Sequence, residues 1–140
     1  MSDYDLQRFI DAQQSDYATA LAEIRSGRKR SHWMWYVFPQ LLGLGYTSTS
    51  VFYAIKNLDE AAAYLQHPVL GPRLIEISNA LLAPDGKDAN EIFGSTDAMK
   101  LRSSMTLFSL VPGASGTFQA VLDKFFNGLK DEKTLQLLNV

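Results

Sequence analysis

Phe118, Val121, Leu122, Phe125, Phe126 and Leu129 recur at spacings of three and four residues. An α-helix gathers such positions on one face, whereas a strand would scatter them over two. The spacing predicts a helix over 118–129 with a wide apolar stripe, seated in the central core. A stripe that wide needs partner faces of the same period.

The rest of the chain supplies them. Asp3 or Ser2 can cap a helix carrying Leu6, Phe9, Ile10 and Gln13, and Ser15 can start a second with Tyr17, Leu21 and Ile24. Gly27 then stands where helices stop. Asp59 and Glu60 open an alanine-rich helix closed by Pro68, and Leu70, Leu74, Ile77 and Leu81 mark another that runs to Pro84. Ser95 caps a helix holding Leu101, Met105 and Phe108; after Gly128 a last short one passes through Leu135 and Leu138. The segment from His32 to Phe38, rich in aromatics, suits a buried strand or a short helix. With no second strand to pair with, it is read as a short helix capped by Ser31 and ended before Pro39. The expectation is an all-α fold: one compact domain over 1–140, a bundle of about seven to nine short helices.

Charge and composition exclude several function classes. A net charge of −2 argues against general nucleic-acid binding. Without cysteine there is no disulfide, thiolate chemistry or thiolate metal site. No apolar run approaches the ~20 residues of a membrane span, and the acidic start lacks a secretory signal. No membrane association and a cytoplasmic location are expected.

Chemistry concentrates in Arg28-Lys29-Arg30-Ser31-His32-Trp33-Met34-Trp35-Tyr36-Val37-Phe38-Pro39-Gln40. Cations beside flat rings suit a phosphate-bearing aromatic ligand, with Arg28 and Lys29 clamping the anion and Trp33 or Trp35 stacking. Core packing is the ordinary role of such rings, and a solvated helix end the ordinary role of such cations. His32 is a candidate general acid or base, whereas His67, before Pro68, suits capping or packing. Two histidines 35 residues apart make no recognisable metal-ligand spacing, so no metal is expected. Between Lys100 and Phe108, one helix side carries Lys100, Ser103 and Ser104, and the other carries Leu101, Met105 and Phe108. Lys100 could activate Ser104 as a nucleophile, or the hydroxyls could bond their own helix carbonyls. Asp97 lies where it can pair with Lys100. Gly43-Leu44-Gly45 reads as a flexible turn, and Glu60, Glu76 and Glu91 suggest no carboxylate dyad.

These motifs, with His67-Pro68-Val69-Leu70-Gly71-Pro72-Arg73-Leu74, Ile92-Phe93-Gly94 and the run from Lys100 to Phe108, resemble a bacterial family of unknown function often labelled calpastatin. That resemblance runs from Leu6 to Leu138 and implies a helical single domain without an established activity. The segment Thr47-Ser48-Thr49-Ser50-Val51-Phe52-Tyr53-Ala54-Ile55-Lys56 is similar to the core of a helical family acting on ADP-ribose-linked compounds and riboflavin-pathway intermediates. The glutamate and histidine of that family's motif are absent at Ser48 to Val51.

The functional expectation is one cleft walled by 28–40 and the polar side of 97–108. It would bind, or bind and hydrolyse, a nucleotide-derived, ADP-ribose-like ligand, with no cofactor. The ligand set is Arg28, Lys29, His32, Trp33, Trp35, Gln40, Lys100, Ser103 and Ser104, and His32, Lys100 and Ser104 are the catalytic candidates. The competing expectation is a protein-interaction module anchored by an aromatic patch.

Overall fold

The computed structural model describes residues 4–83 and 87–140. Among them the chain forms helices α1 (Gln7–Arg25), α2 (Met34–Val37), α3 (Ser48–Phe52), α4 (Leu58–Gln66), α5 (Leu70–Leu82), α6 (Ala89–Phe93), α7 (Ser95–Ser109), α8 (Thr117–Phe126) and α9 (Glu132–Leu138), and no strand. The all-α expectation holds. None of these helices is long and apolar enough to cross a membrane. The expected cap at Ser2 or Asp3 and the stop at Pro84 lie outside the described residues.

One helix replaces the two expected before Gly27. No glycine or proline stands between Leu6 and Gly27, and Phe9, Gln13, Ala20 and Ile24 form a single buried stripe along α1. Ser15 faces solvent and breaks nothing. α1 ends in a Schellman turn: the Arg28 amide donates to the Glu23 carbonyl and the Gly27 amide to that of Ile24. Gly27 adopts φ +83°, a conformation that side chains disfavour.

α7 lies at the centre, packed against α4, α6, α8 and α9, while α5 joins α8 to α1 and α4. Six consecutive residues, Ser103 to Phe108, are buried, so the second half of α7 is enclosed on every side, while its first half keeps an open face. Two of its buried hydroxyls are satisfied within the helix: Ser103 Oγ donates to the Met99 carbonyl and Thr106 Oγ1 to that of Arg102. The α4–α5 corner is equally tight. A Cβ on Gly71 would sit 2.0 Å from the Leu65 carbonyl oxygen, closer than any real contact. His67 turns this corner as a cap, its Nδ1 accepting from the amides of Val69 and Leu70.

The α8 stripe is core only in its first half. Phe118, Val121 and Leu122 are fully buried, Phe125 and Phe126 are half-buried, and Leu129 is 61% exposed. The helix ends at Asn127 in a left-handed conformation, so the chain turns away before Leu129 reaches the core. Two five-residue helices, α3 and α6, have no periodic signature and were not expected. Each is set by its cap: Thr47 Oγ1 accepts from the Ser50 amide, and Asp88 forms a capping box with Glu91.

Candidate functional site

The turn after α1 builds a carboxylate hub. Glu23 accepts hydrogen bonds from the amides of Arg30 and Ser31, from the Ser31 hydroxyl at 2.6 Å and from the Trp33 indole at 2.9 Å. Burial disfavours its charge, but these four donors outweigh that and hold its carboxyl at about 2, well below the ordinary 4.5. Ser31 is thereby spent on Glu23 and does not cap α2, whose N-cap is Trp33. Trp33 itself is 1% exposed and touches the rings of Phe38 and Phe93. It is a core residue, which overturns its expected stacking role.

Lys29 is also committed. Its Nζ lies 2.9 Å from Asp97 Oδ2, its side chain is 7% exposed, and it packs over the Trp33 ring. It ties the α1–α2 turn to α7 instead of facing a ligand. Asp97 holds a second cation, Lys100, at 3.1 Å. Burial opposes the Asp97 charge, but the bonds from both lysines win and hold this carboxyl below its usual range.

Two residues beyond Trp33, the chain presents Trp35 to the other side, because positions two apart on a helical turn differ by about 200°. Lys100 Nζ sits 3.9 Å from the Trp35 ring centroid, a close cation–π contact. Trp35, Gln40, Lys100 and Ser103 line one open cleft of about 260 Å³, together with Leu44, Gly45, Thr96, Met99, Asp131 and Lys133. Trp35 and Gln40 come from the 28–40 segment, and Lys100 and Ser103 from α7. The pairing of residues 40–42 with Ile55 fixes Gln40: the Ile55 amide donates to the Gln40 carbonyl and the Leu42 amide to the Ile55 carbonyl. That is an isolated parallel bridge, the one strand-like contact in this region.

The remaining candidates lie elsewhere. Arg28 and His32 are exposed and outside the cleft lining. Ser104 is fully buried and its Oγ has no hydrogen-bond partner. It cannot meet a ligand, and Lys100 is engaged with Asp97, so the Lys100–Ser104 nucleophile pair does not form. No group of three or more His, Cys, Asp or Glu that could hold a metal ion occurs among the described residues.

Asp131, Lys133, Thr96, Leu44 and Met99 belong to the cleft and were missed. Arg102 places the first two by donating to the carbonyls of Leu129 and Lys130, and Thr106 Oγ1 accepts from the Asp131 amide. Asp131 then caps α9 through Oδ2, which accepts from the Thr134 amide and hydroxyl. Its cap pattern, Asp131 ahead of Thr134, was the only local signal available.

A family model described as "Protein of unknown function (DUF1810)" matches residues 3–138. Among solved structures, the chain is similar to the crystal structure of the conserved hypothetical protein Rv1873 from Mycobacterium tuberculosis. The two share 48% sequence identity over 99% of each chain, with a TM-score of 0.96. No curated protein matches. Neither matched description names calpastatin or ADP-ribose chemistry, so those two resemblances gain nothing from them.

Proposed function

The chain belongs to the DUF1810 family of unknown function, and from that premise we propose that it binds a small nucleotide-derived ligand in the Trp35–Lys100 cleft. The observation that carries this reading is the convergence of a ring, a cation and an unpaired amide. Lys100 lies on Trp35, and the Gln40 side chain has no hydrogen-bond partner among the described residues. Pockets that orient ligands combine apolar walls with a few such polar groups. Leu44 and Met99 supply the walls.

Size limits what the cleft holds. At about 260 Å³ it lies just below the ~300–1,000 Å³ of drug-sized sites. A ring and one anionic group fit, and the rest of a larger ligand such as ADP-ribose would stand in solvent. Binding is the part of the reading that the geometry supports. Hydrolysis has little behind it, because His32 lies outside the lining and Ser104 is buried.

A thermal-shift screen against nucleotides and nucleotide sugars tests the reading. A ligand at a hundredfold excess over Kd stabilises the native state by about 2.7 kcal/mol. The expected result is a raised melting temperature that Trp35→Ala and Lys100→Ala each abolish. Retention of the shift in both variants would remove the cleft from consideration.

The interaction-module reading rests on a different surface. Leu42, Tyr46, Val51 and Phe52 are exposed, with Tyr46 at 90% and Phe52 at 57%. These residues, not the 28–40 aromatics, would anchor a protein partner.

A further inference from the structure

The cleft's charge and hydrogen-bonding groups narrow the ligand class, on the premise that the proposed binding reading holds. Lys29 and Lys100 share the single carboxylate of Asp97. Of these residues only Lys100 belongs to the cleft lining, where Lys133 and Asp131 are the other charged residues. The lining therefore holds two ammonium groups and one carboxylate, and behind it Lys29 and Asp97 cancel, which leaves one positive charge uncompensated. A ligand with one negative charge neutralises it. A diphosphate brings more than the site can pair, and unpaired charge at a partly desolvated site is costly.

The uncharged lining adds a second constraint. Asp131 uses only Oδ2 within the protein, and Oδ1 has no hydrogen-bond partner among the described residues. A carboxylate oxygen only accepts, so it calls for an N–H or O–H on the ligand. The Gln40 amide can donate and accept beside it. Lys100 and Lys133 supply donors for the anion. Trp35, Leu44 and Met99 offer flat and apolar surface for a ring.

We infer that the cleft takes a planar, amino-substituted heterocycle carrying a single negative charge, with the amino group at Asp131 and the anion at Lys100 and Lys133.

Calorimetric titration with three probes at one ionic strength tests this. Cyclic AMP is a monoanion with an exocyclic amine, cyclic IMP is the same monoanion with an acceptor carbonyl in that place and its N–H moved to the ring at N1, and ADP-ribose carries a diphosphate. The expected order puts cyclic AMP about tenfold or more ahead of each of the others, a difference of about 1.4 kcal/mol. Asp131→Asn keeps an oxygen for the α9 cap while offering an N–H₂ to the cleft, so it should reverse the preference to cyclic IMP. If ADP-ribose binds tightest and Lys100→Ala abolishes it, the monoanion inference falls and the binding reading stands. Equal affinity for cyclic AMP and cyclic IMP in the unaltered protein overturns the role given to Asp131. Absence of binding by all three overturns both the inference and the reading it rests on.

Discussion

Two tryptophans two residues apart have opposite fates. Trp33 is enclosed by Phe38 and Phe93, with its indole on Glu23; Trp35 forms a cleft wall under Lys100. Their lysines repeat the contrast. Lys29 is buried against Asp97, whereas Lys100 shares that carboxylate from the cleft side. Composition cannot distinguish these pairs, because both join a cation to an indole. The turn of α2 sends one ring inward and the other outward, and Glu23 is the partner that fixes which.

The contrast should break first at Trp33. Replacing a fully buried ring by alanine costs about 3–5 kcal/mol. Chemical denaturation of Trp33→Ala should show that loss, and a cost under about 1 kcal/mol would return Trp33 to the surface. Glu23→Ala comes next. It strands the buried Trp33 donor, a loss of about 1–3 kcal/mol by the same measurement.

Acid sharpens the same point. Glu23 binds its proton more weakly folded than unfolded, so its stabilisation is complete above the ordinary value of 4.5 and disappears as pH falls towards about 2. Asp97 is depressed in the same direction and adds to the loss. Melting temperatures followed from pH 6 downwards should fall over that acidic window, and Glu23→Gln should flatten the fall.

The cleft side should behave differently. Lys100→Ala removes a partly exposed ion pair and a cation–π contact, for about 0–1 kcal/mol of stability, yet it should abolish ligand binding. The smallest effect belongs to Arg28→Gln. Arg28 is exposed and outside the cleft, so stability should stay within about 0.5 kcal/mol and binding should be unchanged. Loss of binding in that variant would revive the phosphate clamp at 28–30.

Period carried the sequence reading where helices are long. The stripes of α5, α7 and the first half of α8 were legible because each repeats its apolar spacing over several turns. The break expected at Ser15 failed because a capping residue has force only where the chain leaves the helix, and nothing there makes it leave. α3 and α6, at five residues each, are too short to show a period. Within the cleft, Trp35, Gln40, Lys100 and Ser103 stood out as polar or amphipathic residues beside apolar ones. Asp131 and Lys133 did not, because Arg102 and Thr106 bring them there across some 25 residues of chain.

Trp33 and Trp35 are the chain's two tryptophans, so fluorescence can address each alone. In Trp33→Phe the emission reports Trp35 only, and in Trp35→Phe it reports Trp33 only. Titration with cyclic AMP and ADP-ribose in parallel compares the cleft with the core directly. The expected result is a saturable change in the protein that retains Trp35 and none in the protein that retains Trp33. A change confined to Trp33, or silence from both, would contradict the assignment of the Trp35–Lys100 cleft as the ligand site.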